Sequence, residues 1–241
     1  MDLTKETVDR LLQVGGELLP PQTIQIAGRM YSTKDLKRIT EPMPDALKLD
    51  TLTGIVDYLK ANPDKITDTF IHVVSAAMVA VHGPMVGPFL QRPCYLLSEA
   101  TKGTSFAFGR YCDLESFIIA IQSQFVQDET TAAMLAVLGN VKDENVTNFT
   151  DDGMTQSVMA RKGIAMREQV PVPNPVTLRP YRTFMEIPQP VSSYTVRVKA
   201  AKEAPPECAL FQADGGMWQV EAMQSIKDFL AAELPGVVIL A

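Results

Sequence analysis

Two hydrophobic periods run through this chain of 241 residues, and together they require both helices and a sheet. A helical stripe with spacings of three and four is formed by Leu114, Phe117, Ile118, Ile121 and Phe125. From Val191 to Lys199 the period is two, with Tyr194, Val196 and Val198 on one face. The sequence therefore predicts an α+β fold with packed helices and a mainly antiparallel sheet.

Weaker signals predict the other elements. Helices are expected over residues 4–14 (ended by Gly15-Gly16), over 52–61, from Asp128 to Gly139-Asn140, and over 221–234. Strands are expected over 24–26, over 69–82 with a turn near 75–77, and over 94–98. The last run, 237–240, is apolar without alternation, which is typical of a strand buried inside a sheet.

A linker at Leu19-Pro20-Pro21 indicates two parts in the chain. We expect residues 1–45 to form an N-terminal helical arm with its linker, and residues 46–241 to form the main α+β domain.

Composition limits the function classes. The chain has 22 basic and 28 acidic residues, and its net charge of −6 disfavours non-specific binding to nucleic acid. Its 3 cysteines form no CxxC pair, which favours reduced thiols in a cytoplasmic protein. The sequence shows neither a signal peptide nor an apolar run near the roughly 20 residues of a membrane span, so no membrane partner is expected.

The sequence nominates no catalytic residue, cofactor or metal site. Glycine-rich phosphate loops, nucleophile elbows and zinc-protease motifs are absent. His72 and His82 have no acidic residue or cysteine between them, which favours structural roles. Asp214-Gly215-Gly216 is interpreted as a hairpin turn between 208–212 and 217–220, with Trp218 in the core.

Asp151-Asp152-Gly153 predicts another hairpin, flanked by polar arms over 141–150 and 154–164. Polar arms of this kind gain no core of their own, so we expect a protruding hairpin that contacts neighbouring subunits. The expected contact residues are Thr147, Asn148, Thr150, Asp151, Asp152, Gly153, Thr155 and Gln156. The alternative is that the acidic pairs bind Mg²⁺.

The region 161–202 has a basic bias interleaved with aromatic residues. Cationic and aromatic side chains together suit single-stranded nucleic acid, although cross-strand pairing explains them equally well. The candidate nucleic-acid contacts are Arg161, Lys162, Arg179, Tyr181, Arg182, Arg197 and Lys199.

Several stretches carry a family resemblance: residues 108–111, 119–125, 140–145, 150–156, 172–184 and 210–216. They resemble the YfdQ-like family of phage and prophage proteins, over roughly residues 50–241. The resemblance implies an origin in a tailed phage or an integrated prophage, in the cytoplasm of a bacterial host. It implies no mechanism and no catalytic residue.

Three functions follow as hypotheses. The leading one is a non-enzymatic phage accessory protein that self-assembles into a homo-oligomer, a ring or a closed shell. The first alternative is a single-stranded nucleic-acid binding or annealing factor. The second is a nucleotide-binding counter-defence protein that uses Asp151 and Asp152 as metal ligands.

Overall fold

The computed structural model describes residues 4–26, 29–34, 42–87, 90–101, 103–143, 149–151, 156–162, 166–172, 174–199 and 206–241. The chain divides into two compact units, Met1–Met43 and Pro44–Ala241.

The first unit contains helix α1 (Lys5–Leu18) and an antiparallel pair, β1 (Thr23–Ile26) and β2 (Arg29–Ser32). Thr4 caps α1, because its hydroxyl oxygen accepts a hydrogen bond from the Thr7 amide. The predicted stop at Gly15-Gly16 is wrong, since α1 continues to Leu18. A glycine inside a helix lowers the helix stability by only about 1 kcal/mol relative to alanine, which is too little to end α1.

The second unit confirms the α+β fold with mostly antiparallel sheets. Its helices are α2 (Leu52–Ala61), α3 (Leu114–Gln124), α4 (Glu129–Asp143) and α5 (Met217–Glu233). Its strands are β3 (Leu47–Leu49), β4 (Phe70–Ser75), β5 (Met78–His82), β6 (Cys94–Glu99), β7 (Cys112–Asp113), β8 (Phe149–Asp151), β9 (Gln156–Lys162), β10 (Met166–Val172), β11 (Val176–Leu178), β12 (Ser192–Lys199), β13 (Glu207–Gln212) and β14 (Val238–Leu240).

A five-stranded sheet has the order β14-β4-β5-β6-β3. The three central strands are antiparallel, and both edge strands join them in parallel. Helices α2 and α5 pack on one face, which we call the inner face of this sheet. Its core is formed by Leu52, Ile55, Ile71, Val73, Val79, Val81, Leu96, Ile226 and Leu230.

A four-stranded antiparallel sheet has the order β11-β12-β13-β7 and packs its inner face on α3 and α4. The alternation predicted for β12 is confirmed, because Tyr194, Val196 and Val198 are buried while the residues between them are not. The helical stripe of α3 is also confirmed, with Leu114, Phe117 and Ile121 in the same core.

The chain reversal predicted around residues 151–153 is confirmed by the pairing of β8 with β9. Asp151 pairs with Gln156 in this register, and β10 continues the small sheet on the other side of β9. The first arm is shorter than predicted, because α4 passes through Gly139-Asn140 and ends at Asp143. Residues 152–155 lie outside the described part of the chain.

Two further predictions are wrong. Asp214-Gly215-Gly216 does not join two strands; it leads from β13 into α5, with Gly216 at φ 85° as the residue before the helix. Trp218 therefore lies in the first turn of α5. The C-terminal strand β14 is not buried inside its sheet but forms its edge, with Val238 60% and Leu240 50% exposed.

The two isoleucines Ile119 and Ile121 of α3 give a matched test of this core, since Ile119 is exposed and Ile121 is fully buried. We expect Ile121→Ala to lower the free energy of unfolding by about 2–5 kcal/mol, because it leaves a cavity against β12 and β13. Ile119→Ala should change it by only about 0.5 kcal/mol. Urea unfolding measures both, and equal losses would contradict this placement of the helix.

Candidate functional site

The predicted hairpin contacts fall in two groups. Thr147, Asn148, Asp152, Gly153 and Thr155 lie outside the described residues. The other three lie on paired strands, Thr150 and Asp151 on β8 and Gln156 on β9. The structure therefore describes the strand pairing of this hairpin, and its role as a subunit contact stays a prediction.

The fold separates the predicted basic strip instead of gathering it. Arg161 and Lys162 lie at the end of β9, where they pair with Arg167 and Met166 of β10. The remaining five residues occupy three different places: a cleft, a buried cluster and an exposed sheet face. Each place allows a different chemistry.

Arg179 and Tyr181 line a cleft of about 560 Å³. Apolar side chains form much of its wall, and Glu221 of α5 brings a carboxylate to it. The volume lies in the range of about 300–1,000 Å³ that is usual for small-molecule sites.

Arg182 is buried, with only 7% of its surface exposed, and lies in a polar cluster between the two cores. Its Nη2 donates to Ser192 Oγ, and that hydroxyl donates in turn to Asp214 Oδ2. Its Nη1 donates to Tyr194 Oη at 3.2 Å. The guanidinium carbon also lies 4.0 Å from the centre of the Trp218 ring, a cation–π contact.

Arg182 is thus the wrong choice as a nucleic-acid contact. Each of its two terminal nitrogens already donates to a side chain, and Asp214 Oδ2 lies 4.0 Å from Nη2 as its counter-ion. Nε is buried and has no hydrogen-bond partner within the described residues. Its positive charge, which made it a candidate for phosphate binding, forms an internal ion pair with Asp214 instead.

The electrostatics of the cluster keep Asp214 ionised. Burial alone would raise its pKa, but the hydrogen bonds from Ser192 and the Gly216 amide, together with the Arg182 charge, hold the pKa of Asp214 below its usual value. Burial lowers the pKa of Arg182, and burial raises the pKa of the Tyr194 phenol. A guanidinium remains charged under all ordinary conditions, so the ion pair persists.

Arg197 and Lys199 lie on the face of the four-stranded sheet opposite α3 and α4, which we call its outer face. In the strand register Arg197 lies opposite Ala209, and Lys199 lies opposite Glu207. Two aromatic side chains that the sequence analysis did not select, Tyr111 and Phe211, lie beside these cations. The Lys199 ammonium is 4.8 Å from the centre of the Tyr111 ring, and the Tyr111 and Phe211 rings are 6.3 Å apart.

The sequence contained a usable signal for this pair. Phe211 follows the buried Leu210 in a β-strand, and Tyr111 precedes Cys112, whose strand neighbour is Cys208. Because side chains alternate along a strand, Phe211 lies on the face opposite the core, and Tyr111, just before β7, lies beside it. The pairing of β7 with β13 is the long-range fact that the sequence could not supply.

The five-stranded sheet also has an outer face, opposite α2 and α5, and most of it is apolar. The register places Leu240, His72, Ala80, Leu97 and the exposed Lys48 of β3 side by side in one row. Val238, Phe70, His82 and Cys94 form the next row. The guanidinium of Arg92 lies 4.9 Å from the centre of the Phe70 ring and covers part of the second row.

The cysteines and histidines have structural positions. Cys112 and Cys208 are strand neighbours, yet all three cysteines are free. Burial raises the pKa of Cys208 to about 12, so its thiol stays protonated and unreactive. Burial likewise lowers the pKa of His82, whose ring lies 6.2 Å from that of His72. Within the described ranges, no three His, Cys, Asp or Glu side chains are grouped so that they could hold a metal ion.

Comparison with protein-family models, with curated proteins and with solved structures finds no match to this chain. Among the described residues, no helix has the length and apolar character needed to cross a membrane.

The Asp214 cluster predicts a specific pH dependence of stability. An unfolded aspartate titrates near pH 3.9, and the pKa of folded Asp214 is lower, so its ionised form stabilises the fold above about pH 3.9. That contribution is lost as the pH falls through the folded pKa. We expect Asp214→Asn to lower the free energy of unfolding by about 1.5–3 kcal/mol at pH 7, with a smaller difference at pH 3.

Urea unfolding at both pH values measures this difference. Asp57→Asn is the matched control, because Asp57 is an exposed carboxylate on α2. A loss of stability that is the same at both pH values would show that Asp214 does not act through its charge.

Proposed function

We propose that this protein is a non-enzymatic phage or prophage accessory protein that self-assembles into a homo-oligomer in the bacterial cytoplasm. The phage origin rests on the resemblance to the YfdQ-like family. The assembly rests on one structural observation, the apolar outer face of the five-stranded sheet.

An antiparallel sheet that meets water normally presents polar side chains on its solvent face. Here Val238 and Leu240 are at least half exposed, and Phe70 is partly exposed beside Val238. On the same face, Leu97 of β6 is also partly exposed, while Ala80 of β5 is buried. In the described part of the chain, the helices that cover this sheet pack on its inner face. Such an apolar patch on a protein surface is typical of an interaction site.

The edge strand β14 favours a second copy as the partner. β14 pairs with β4 on one side, and within the described residues no strand pairs with its other side. An uncovered edge is a template for pairing with another strand. A two-fold axis through β14 would pair it with itself in antiparallel orientation, and the Val238 and Leu240 side chains of both copies would then lie together.

The N-terminal unit supplies a second reason to expect a partner. Helix α1 exposes an apolar stripe, Val8, Leu11, Leu12 and Leu18, and none of the described side chains of this unit is buried. A unit of 43 residues whose described side chains are not buried gains little stability from burial, and oligomerisation is one way in which such small units are stabilised. A ring or closed shell needs more than one contact surface, and α1 is suited to be the second.

The sheet face is tested by the double variant Val238→Glu/Leu240→Glu. It places charges where the partner is expected and leaves the inward-facing Ile239 in place, so we expect a folded protein of lower mass. Size-exclusion chromatography with light scattering at micromolar concentration measures the mass, and circular dichroism checks the fold. Met217→Glu/Val220→Glu is the control, because these residues are equally exposed and apolar but lie on α5.

Two results would contradict this reasoning. A wild-type protein that elutes at the monomer mass of 26.5 kDa would overturn the proposed self-assembly. An assembly that is unchanged in the β14 variant would overturn the sheet face as its contact surface.

The predicted hairpin contact is tested separately by removing residues 148–156 and joining the ends with Asn-Gly. Strand β9 keeps its pairing with β10, and the two main cores are built from described residues outside the removed segment, so we expect an unchanged fold. Light scattering should then show smaller species. A shortened protein that remains fully assembled would contradict the hairpin contact, and the β14 variant would show whether the sheet face acts in its place.

A further inference from the structure

We infer that the outer face of the four-stranded sheet binds single-stranded nucleic acid, with bases stacked on Tyr111 and Phe211 and phosphates bound by Arg197 and Lys199. The inference goes beyond the proposed self-assembly and uses a different sheet. It rests on the placement of these four side chains, on the exposure of Tyr111, Phe211 and Lys199, and on the two positive charges.

The two aromatic rings form a platform open to solvent. Tyr111 is 40% and Phe211 is 37% exposed, and their rings meet edge to face with 6.3 Å between centres. Gly109, at φ 73°, donates its amide to the Leu210 carbonyl and so fixes the loop before Tyr111 against β13. The platform is therefore built on paired backbone, and its rings are already positioned when a base arrives.

The cations lie within reach of a strand that crosses the platform. Lys199 is exposed, and its ammonium lies 4.8 Å from the Tyr111 ring centre. Arg197 projects from the same face of β12, two residues away, and lies opposite the small Ala209. Exposed aromatic rings interleaved with cations on a sheet surface are the features by which proteins hold single strands without sequence preference.

The arrangement favours a single strand over other polyanions. An acidic peptide would engage the cations but leave the two rings without a role. A duplex hides the faces of its bases, so it also cannot stack on Tyr111 or Phe211. Glu207 lies directly opposite Lys199 and offsets part of its attraction for a phosphate.

The experiment measures the fluorescence anisotropy of a labelled oligodeoxythymidylate of about 15 nucleotides, in about 20 mM salt, with the full chain. We expect Tyr111→Ala and Phe211→Ala each to weaken binding roughly fivefold or more. Lys199→Gln should weaken binding and reduce the salt dependence by roughly 0.7 of a logarithmic unit per decade. Glu207→Gln should strengthen binding, because it removes the repulsion beside Lys199.

Lys65→Gln is the matched control, since Lys65 is an exposed lysine in the loop after α2. Light scattering on each variant separates loss of binding from loss of assembly. Three results would overturn the inference: no binding by the wild type at low salt, unchanged binding by the Tyr111→Ala/Phe211→Ala double variant, or a duplex bound as tightly as the single strand.

Discussion

The ion pair of Arg182 and Asp214 is the interaction on which the joining of the two cores depends. Ser192 and Tyr194, which bind the guanidinium, belong to β12 of the four-stranded sheet. The Thr183 hydroxyl donates to the Ala76 carbonyl in the turn between β4 and β5, and Phe184 packs in the core of the five-stranded sheet. One short segment thus binds both sheets, and its geometry is fixed by the buried charge at its start.

A buried charge gives this junction specificity more than stability. Taking Arg182 and Asp214 out of water costs several kcal/mol, and their attraction recovers this only with good geometry and further hydrogen bonds. Gln189 provides such bonds: its side-chain oxygen accepts from the Arg182 and Thr183 amides, and its nitrogen donates to the Phe184 carbonyl. Alternative packings of the segment would leave these groups buried without partners, so they are excluded.

Much of the fold was predictable from the sequence because it depends on local periodicity and capping. The apolar stripe of α3 and the alternation of β12 both appear in the observed burial, and local caps at Asp113 and Thr51 begin α3 and α2. Two of the errors have one cause: a glycine pair is compatible with a turn, a helix interior or a helix start. At Gly15-Gly16 the helix continues, whereas at Gly215-Gly216 it begins. Only packing decides between these outcomes, and packing is not local.

The candidate sites were less predictable for the same reason. Six cations in one stretch of sequence appeared as one basic strip, but strand alternation and the turn after β11 send Arg182 inward and Arg197 outward. Conversely, Tyr111 and Lys199 are 88 positions apart and meet only because β7 pairs with β13 and β13 with β12. Closeness in the sequence is therefore a poor guide to which residues lie close together on a sheet face.

Charge, too, has to be considered at one surface and not only over the whole chain. The net charge of −6 is a property of the whole chain, whereas a bound strand responds to charges within roughly one Debye length, about 8–10 Å in ordinary salt. On the outer face of the four-stranded sheet, Glu207 lies opposite Lys199 and offsets part of the positive charge of Arg197 and Lys199. Coulomb attraction alone therefore gives little affinity there. The aromatic platform must supply the rest, and this is why the face suits unstacked bases better than a bare polyanion.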